Sequence, residues 1–270
     1  MSQRAWIQSN QDAWNALAEN QYKRFKQRFE ENDIQLNPLL LPHIKDIKGK
    51  RVLHLQCNTG ADSIMLARLG AHVTGVDFAP DNVKYAKMLS IDTNTPVTFI
   101  QGDVTRLWEV IDTTYDLIIT FDGVLGWLMD LEDWAKGLKH ALSSDGKVIV
   151  LDTHPFYYVF DEEALPKGET IIKYPYFQFD VEVNEDIGGY AGAPVMAKNG
   201  FKPIQMSQLI NACAKHQLMI THMEEYDRCD EGMGGDTKES QGLMVHKHFV
   251  GAIPIMLYCE IRHFTTLSRP

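Results

Sequence analysis

Apolar and polar residues follow two different periods along this chain. Over residues 3–30, Trp14, Leu17, Ala18, Tyr22, Phe25 and Phe29 recur at three- and four-residue steps, the spacing of one helix face. Asn37-Pro38 and Pro42 interrupt that pattern. From Lys50 onward, short β-like runs alternate with helical ones. Strands are predicted at 51–55, 71–77, 97–100, 115–120 and 147–151. Helices are predicted at 61–69, 81–90 and 131–142, the second with Pro80 in its first turn. Uninterrupted runs such as Leu117-Ile118-Ile119 suit strands buried on both faces, and this alternation predicts βαβ units in a parallel sheet. After Asp152 the alternation lapses. Residues 155–203 are rich in Tyr, Phe, Pro and Gly, as in Gly188-Gly189-Tyr190, and read as an insertion. A helix at 207–216, a strand at 218–226, a polar Gly-rich loop at 230–242 and a last strand at 253–261 complete the chain. Two strands joined without a helix must run antiparallel if they pair directly.

Composition narrows the function classes. The chain has 270 residues, with 36 Asp and Glu against 26 Lys and Arg, a net charge of −10. Such a surface repels phosphate backbones, so nucleic acid is not an expected partner. The run Lys23, Arg24, Lys26 and Arg28 reads as the solvent face of the first helix. No apolar run reaches the ~18 residues of a membrane span. The N-terminus lacks the apolar core of a secretory signal. Cys57, Cys213, Cys229 and Cys259 form no CxxC pair, so reduced thiols and a cytoplasmic location are expected, with no metal.

The chemistry concentrates in Val52-Leu53-His54-Leu55-Gln56-Cys57-Asn58-Thr59-Gly60-Ala61-Asp62, a strand running through a polar turn into a helix. That geometry points backbone N–H groups at whatever lies over the strand end. Asp77 ends the second strand, where an acid can accept hydrogen bonds from a ribose diol. Gly102-Asp103-Val104 follows the third strand, and its acid could meet the exocyclic amine of an adenine. Gln56 and Asn58 occupy two of the glycine sites of a dinucleotide loop. Their bulk counts against a pyrophosphate, hence against a nicotinamide-dependent oxidoreductase, and less against an adenosyl ligand without phosphate. Asp77 and Asp103 also have structural readings, as caps of the helical turns that follow them.

These features together resemble class I S-adenosylmethionine-dependent methyltransferases. Val52 to Gly60 resembles the family's glycine-rich loop, Gly75-Val76-Asp77-Phe78 its ribose-binding strand end, and Gly102-Asp103-Val104 its adenine-binding acid. Tyr115 to Ile118 and Leu142 to Lys147 resemble its fourth strand and the turn before the fifth. The Leu-His-Leu-Gln-Cys run, Trp127-Leu128 and Asp152 to Pro155 resemble a bacterial small-molecule subgroup.

The resemblance implies an α/β, Rossmann-like, doubly wound seven-stranded sheet of order 3-2-1-4-5-7-6, its last strand antiparallel. It implies an N-terminal helical lid over 1–45, a cofactor-binding core over 46–154, a cap over 155–203 and a return to the core over 204–270. It implies S-adenosyl-L-methionine as cofactor and methyl transfer to a small-molecule acceptor. A non-catalytic adenosyl-binding protein is the alternative. The implied cofactor residues are Trp14, Tyr22, Gln56, Asn58, Gly60, Asp77, Phe78, Gly102, Asp103, Val104 and Phe121. His54 stands where the family usually has an acid, so the cofactor's amino-acid end is expected to be held differently, by the Gln56 amide. Asp152 and His154 are the acid–base candidates, with Asp122 beside the expected transfer site. Phe156, Tyr157, Tyr174, Tyr176 and Phe177 are the expected pocket walls.

Overall fold

A computed structural model describes residues 1–177, 180–188, 193–231, 233–239 and 242–264; Gly189 and Tyr190 lie outside them. Helix α1 (Gln3–Glu30) is capped by Ser2, whose hydroxyl accepts from the Ala5 N–H. The core begins with β1 (Arg51–Leu55), α2 (Ala61–Arg68), β2 (His72–Asp77), α3 (Pro80–Asp92) and β3 (Thr98–Gln101). It continues through β4 (Tyr115–Phe121), α4 (Leu131–Ala141) and β5 (Leu142–Thr153). Then come the hairpin β6 (Glu182–Ile187) and β7 (Val195–Phe201), α5 (Met206–Lys215) and β8 (Leu218–Tyr226). Three two-residue strands follow, β9 (Arg228–Cys229), β10 (Thr237–Lys238) and β11 (Met244–Val245), and β12 (Met256–His263) ends the sheet.

The seven-stranded sheet has the order β3-β2-β1-β4-β5-β12-β8, which is the expected one. The first five strands are parallel, and β12 lies antiparallel between β5 and β8. β5 begins at Leu142, directly after α4, earlier than the turn residues Ser144-Asp145-Gly146 suggest; a register shift between Tyr115 and Leu117 accommodates the extra residues.

Side chains on β4 alternate between the two faces. Leu117, Ile119 and Phe121 join one apolar cluster with Leu40, Ile47 and Met256, while Ile118 joins the other with Trp134, Leu138 and Leu209. A sheet packed on both faces is what the continuous apolar runs require.

Helix α1 is stitched over the carboxyl ends of the strands by polar contacts that the apolar stripe does not reveal. Asn10 is buried and exchanges two hydrogen bonds with the Gly200 backbone on β7. Gln11 donates to the Phe78 carbonyl just after β2, and Asn15 accepts from the Asp81 N–H on α3. No helix among the described residues is long and apolar enough to cross a membrane.

Candidate functional site

The loop after β1 sits at the centre of the site. Gln56 (φ 51°) and Asn58 (φ 52°) both hold the left-handed conformation that glycine adopts freely. Local bonds hold each one in place. The Gln56 amide donates to the Val124 carbonyl (2.9 Å) and its oxygen accepts from Thr120 (3.3 Å). The Asn58 side chain accepts from the Thr59 N–H. The Gln56 side chain is thus anchored on the β4 side of the cleft, with one N–H and one lone pair of its amide engaged.

Gly60 (φ 82°) begins α2, and a side chain there would meet Phe99 at 2.5 Å and Ala86 at 2.9 Å. Close packing therefore excludes a side chain at this position. Gly102 is similar: a Cβ would meet Val110 at 2.7 Å, and its N–H donates to the Asp77 carbonyl. Gly60→Ala is expected to cost roughly 2 kcal/mol or more, from left-handed strain and overpacking together. An unchanged urea midpoint would contradict this.

Asp77 is 4% exposed and accepts three bonds, from the Asn58 N–H (2.8 Å), the Ala79 N–H (2.9 Å) and the Asn82 amide (3.1 Å). Burial pushes its carboxyl up, and these three bonds oppose the shift. A carboxylate has about four acceptor sites, so one remains, on Oδ2. Asp103 caps the 3₁₀ turn Val104–Glu109, accepting from the Thr105 N–H and hydroxyl, and also lines a pocket.

Two adjoining cavities open here. The larger holds about 370 Å³ and is walled by Trp14, Phe25, His54, Asn58, Asp77 and Phe121 among others. The smaller, about 40 Å³, is lined by Phe78, Asp103, Val104, Thr105 and Leu128. Gln56, Phe78 and Trp127 border both. Of the residues implied by resemblance, Trp14, Gln56, Asn58, Asp77, Phe78, Asp103, Val104 and Phe121 thus come together.

Tyr22 does not join them. Its ring stacks on Tyr85 and its hydroxyl donates to Asp92 (2.5 Å), which fastens α1 to α3.

The acid–base candidates also point elsewhere. Asp152 is buried beneath the loop after β4, accepting from the Leu125 N–H (2.6 Å), the Val124 N–H (3.1 Å) and the Thr153 N–H (2.7 Å). His154 Nδ1 accepts from the Phe156 N–H, and its Nε2 lies 2.8 Å from the exposed Glu225. Neither lines either of these two cavities; both sit at the C-terminal end of β5.

The aromatic insertion is not the pocket wall either. Tyr157 is buried against His246 (2.8 Å), and Phe156 and Phe177 are exposed. The aromatic walls are instead Trp14, Phe25, Phe78, Phe121 and Trp127, with Trp14 edge-on to Trp127 at 5.1 Å.

Asp122, which follows β4 in the left-handed region (φ 66°), does face the larger cavity and accepts from Asn37 (2.7 Å). Burial and the neighbouring Asp62 and Asp230 charges push it well up. Burial also raises Asp62, to about 6.

Sequence reasoning missed several walls. Arg24 and Arg28 line the larger cavity, whereas Lys23 and Lys26 pair with Glu19 and Asp92 outside it. The i, i+4 spacing of the two arginines around Phe25 was the available signal. Asp230, Glu231 and Met233 also line it, from the segment read as a polar loop. His246 bonds to Tyr157 and Asp236, and no group of His, Cys, Asp or Glu able to hold a metal ion occurs among the described residues.

Residues 52–146 match the family described as "Methyltransferase domain". Among curated proteins, the chain is 35% identical over 88 residues to ubiquinone biosynthesis O-methyltransferases of Proteus mirabilis and Vibrio cholerae. Each match covers 31% of this chain and 36% of the relative, so the chain spans about a third of the length of these relatives. Among solved structures, an S-adenosylmethionine-dependent methyltransferase from Mesorhizobium loti is similar at TM-score 0.53 and 15% identity, covering 84% of this chain and 96% of that one. One from Clostridium acetobutylicum reaches TM-score 0.54 at 13% identity, covering 90% and 92%. At these identities the likeness is one of fold. The likeness to the methyltransferase-domain family thus rests on residues 52–146, which lie within the Rossmann-like seven-stranded sheet.

Proposed function

We propose that the protein binds S-adenosyl-L-methionine and transfers its methyl group to a small molecule. One observation carries this reading: Asp77 and the Asp103–Val104 pocket stand at successive strand ends and share Gln56, Phe78 and Trp127 with a larger, aromatic-walled cavity. The free acceptor site on Asp77 suits a ribose hydroxyl. Phe78, Val104 and Leu128 suit the faces of a purine, with Asp103 at its edge. Side chains at 56 and 58 fit a ligand without pyrophosphate better than a dinucleotide.

When bound, the cofactor supplies an activated methyl on a cationic sulfur. The chain's part is to align donor and acceptor and to exclude water, which together are worth ~7–11 kcal/mol. Trp14 and Trp127 meet edge to face over the junction and supply aromatic surface for a cation. For an acceptor that must lose a proton, Asp122 is the carboxylate on the wall beside the transfer site.

The family match ends before Asp230, Glu231 and Met233 and begins after Arg24, Phe25, Arg28, Ile34 and Asn37, which line the acceptor side. The acceptor is therefore read from this chain's own walls, which are small, mixed in charge and unsuited to a polymer. In this reading the β6–β7 hairpin, packed on α1, belongs to a cap over 155–203. Four buried free thiols suit a reducing cytoplasm.

Calorimetric titration with S-adenosylhomocysteine tests the reading. Micromolar affinity is expected, and no binding by a folded sample would overturn it.

A further inference from the structure

The first loop lacks the family's usual acid at position 54, and the amide of Gln56 is already engaged. A charged corner lies next to this loop, built from three different elements. Arg28 comes from α1, His54 from β1 and Asp62 from the first turn of α2, and all three line the larger cavity. Arg28 directs its Nε at Asp33, donating to the carbonyl (2.8 Å) with the Asp33 carboxylate 3.8 Å away, while its two Nη groups form no hydrogen bond among the described residues. A guanidinium held by one edge offers its other edge to a carboxylate in two-pronged fashion.

His54 is 3% exposed, stacked on Phe121 at 5.0 Å, with Nδ1 2.7 Å from the Ser63 hydroxyl. Its Nε2 has no partner among the described residues, although the ring lines the cavity. Burial holds this imidazole neutral, with its pKa down to about 3. In the tautomer whose Nδ1–H donates to Ser63, Nε2 presents a lone pair. Asp62 lies within the field of both Arg28 and Asp230.

A cation donor, a neutral acceptor and an anion on one cavity wall complement a zwitterion. We infer that the amino-acid end of the donor nucleoside docks in this corner, its carboxylate on Arg28 and its ammonium on Asp62 and His54. The inference rests on the cofactor reading above and deepens it. It makes α1 part of the recognition surface: Arg28 already lines the cavity, and nucleosides lacking that end leave it unengaged.

Two thioethers separate the corner from the adenosyl site: S-adenosylhomocysteine, and 5′-methylthioadenosine, which lacks the amino-acid end. Wild type is expected to bind the first at least ~10-fold tighter, about 1.4 kcal/mol. Arg28→Gln should bring that ratio below about 3-fold while leaving methylthioadenosine affinity unchanged. Decarboxylated S-adenosylhomocysteine keeps the ammonium alone, so its affinity should be indifferent to Arg28→Gln and reduced by Asp62→Asn.

If Arg28→Gln weakens both thioethers equally, or neither, the corner is not the docking site. If neither binds folded wild type, the cofactor reading itself fails. Hydrogen exchange on unmodified protein gives a check independent of variants. S-adenosylhomocysteine should protect the amides of the second half of α1 and methylthioadenosine should not; equal protection by both would also refute the inference.

Discussion

Asp77→Ala is expected to abolish measurable binding of S-adenosylhomocysteine, raising Kd at least ~100-fold, about 2.7 kcal/mol. Two losses combine. The ribose loses its acceptor, a charge-assisted bond of the ~1.5–3 kcal/mol class. The carboxylate also holds the loop, through the Asn58 N–H, and the start of α3, through the Ala79 N–H and Asn82. Without it, Asn58 is no longer fixed in its left-handed conformation, so the cleft floor loosens. Asp77→Asn keeps the shape but replaces one acceptor oxygen with a donor, and should weaken binding less. Thermal unfolding run alongside separates a folded, non-binding variant from an unfolded one. Wild-type affinity in a folded Asp77→Ala sample would remove this residue from the site.

Asp152→Ala is expected to act on stability. Its carboxylate satisfies the amides of Val124, Leu125 and Thr153, all in the buried interior at the end of β5. Each unsatisfied buried donor costs roughly 1–3 kcal/mol. Water entering the vacated space recovers part of that, which leaves a loss on the order of 3 kcal/mol in urea denaturation. Because Val124 and Leu125 lead into Trp127, cofactor affinity should fall as a consequence. An undiminished denaturation midpoint with turnover lost would reverse the assignment and restore Asp152 as an acid–base group.

The contrast between Asp122 and Asp152 shows where sequence reading stops. Both follow apolar strands at the same end of the sheet, and period-2 patterning treats them alike. Asp122 adopts a left-handed backbone and turns its side chain toward Asn37 and the cavity. Asp152 lies in extended strand, and the three amides above it draw its carboxylate inward. Loop conformation made the difference, and loop conformation depends on contacts distant in sequence. Arg24 and Arg28 illustrate the same point on α1. Their charge suggested solvent, but α1 crosses the strand ends at an angle set by Asn10, Gln11 and Asn15, which swings those arginines over the cleft.

What the sequence by itself determined is local and periodic. The 2.0 and 3.6 periods located the strands and helices, and apolar runs marked which strands are buried on both faces. The strand–turn–helix at 52–62 with Asp77 and Asp103 marked residues that line one cleft, because those residues follow their strands within a few positions. The tertiary structure alone decided which charged side chains face the cavity, which glycines serve packing, and that Phe156, Tyr157 and Phe177 are not among its walls. Those outcomes depend on how α1, residues 34–37 and the side chains of Asp230, Glu231 and Met233 converge from opposite ends of the chain, and no short-range pattern encodes that convergence.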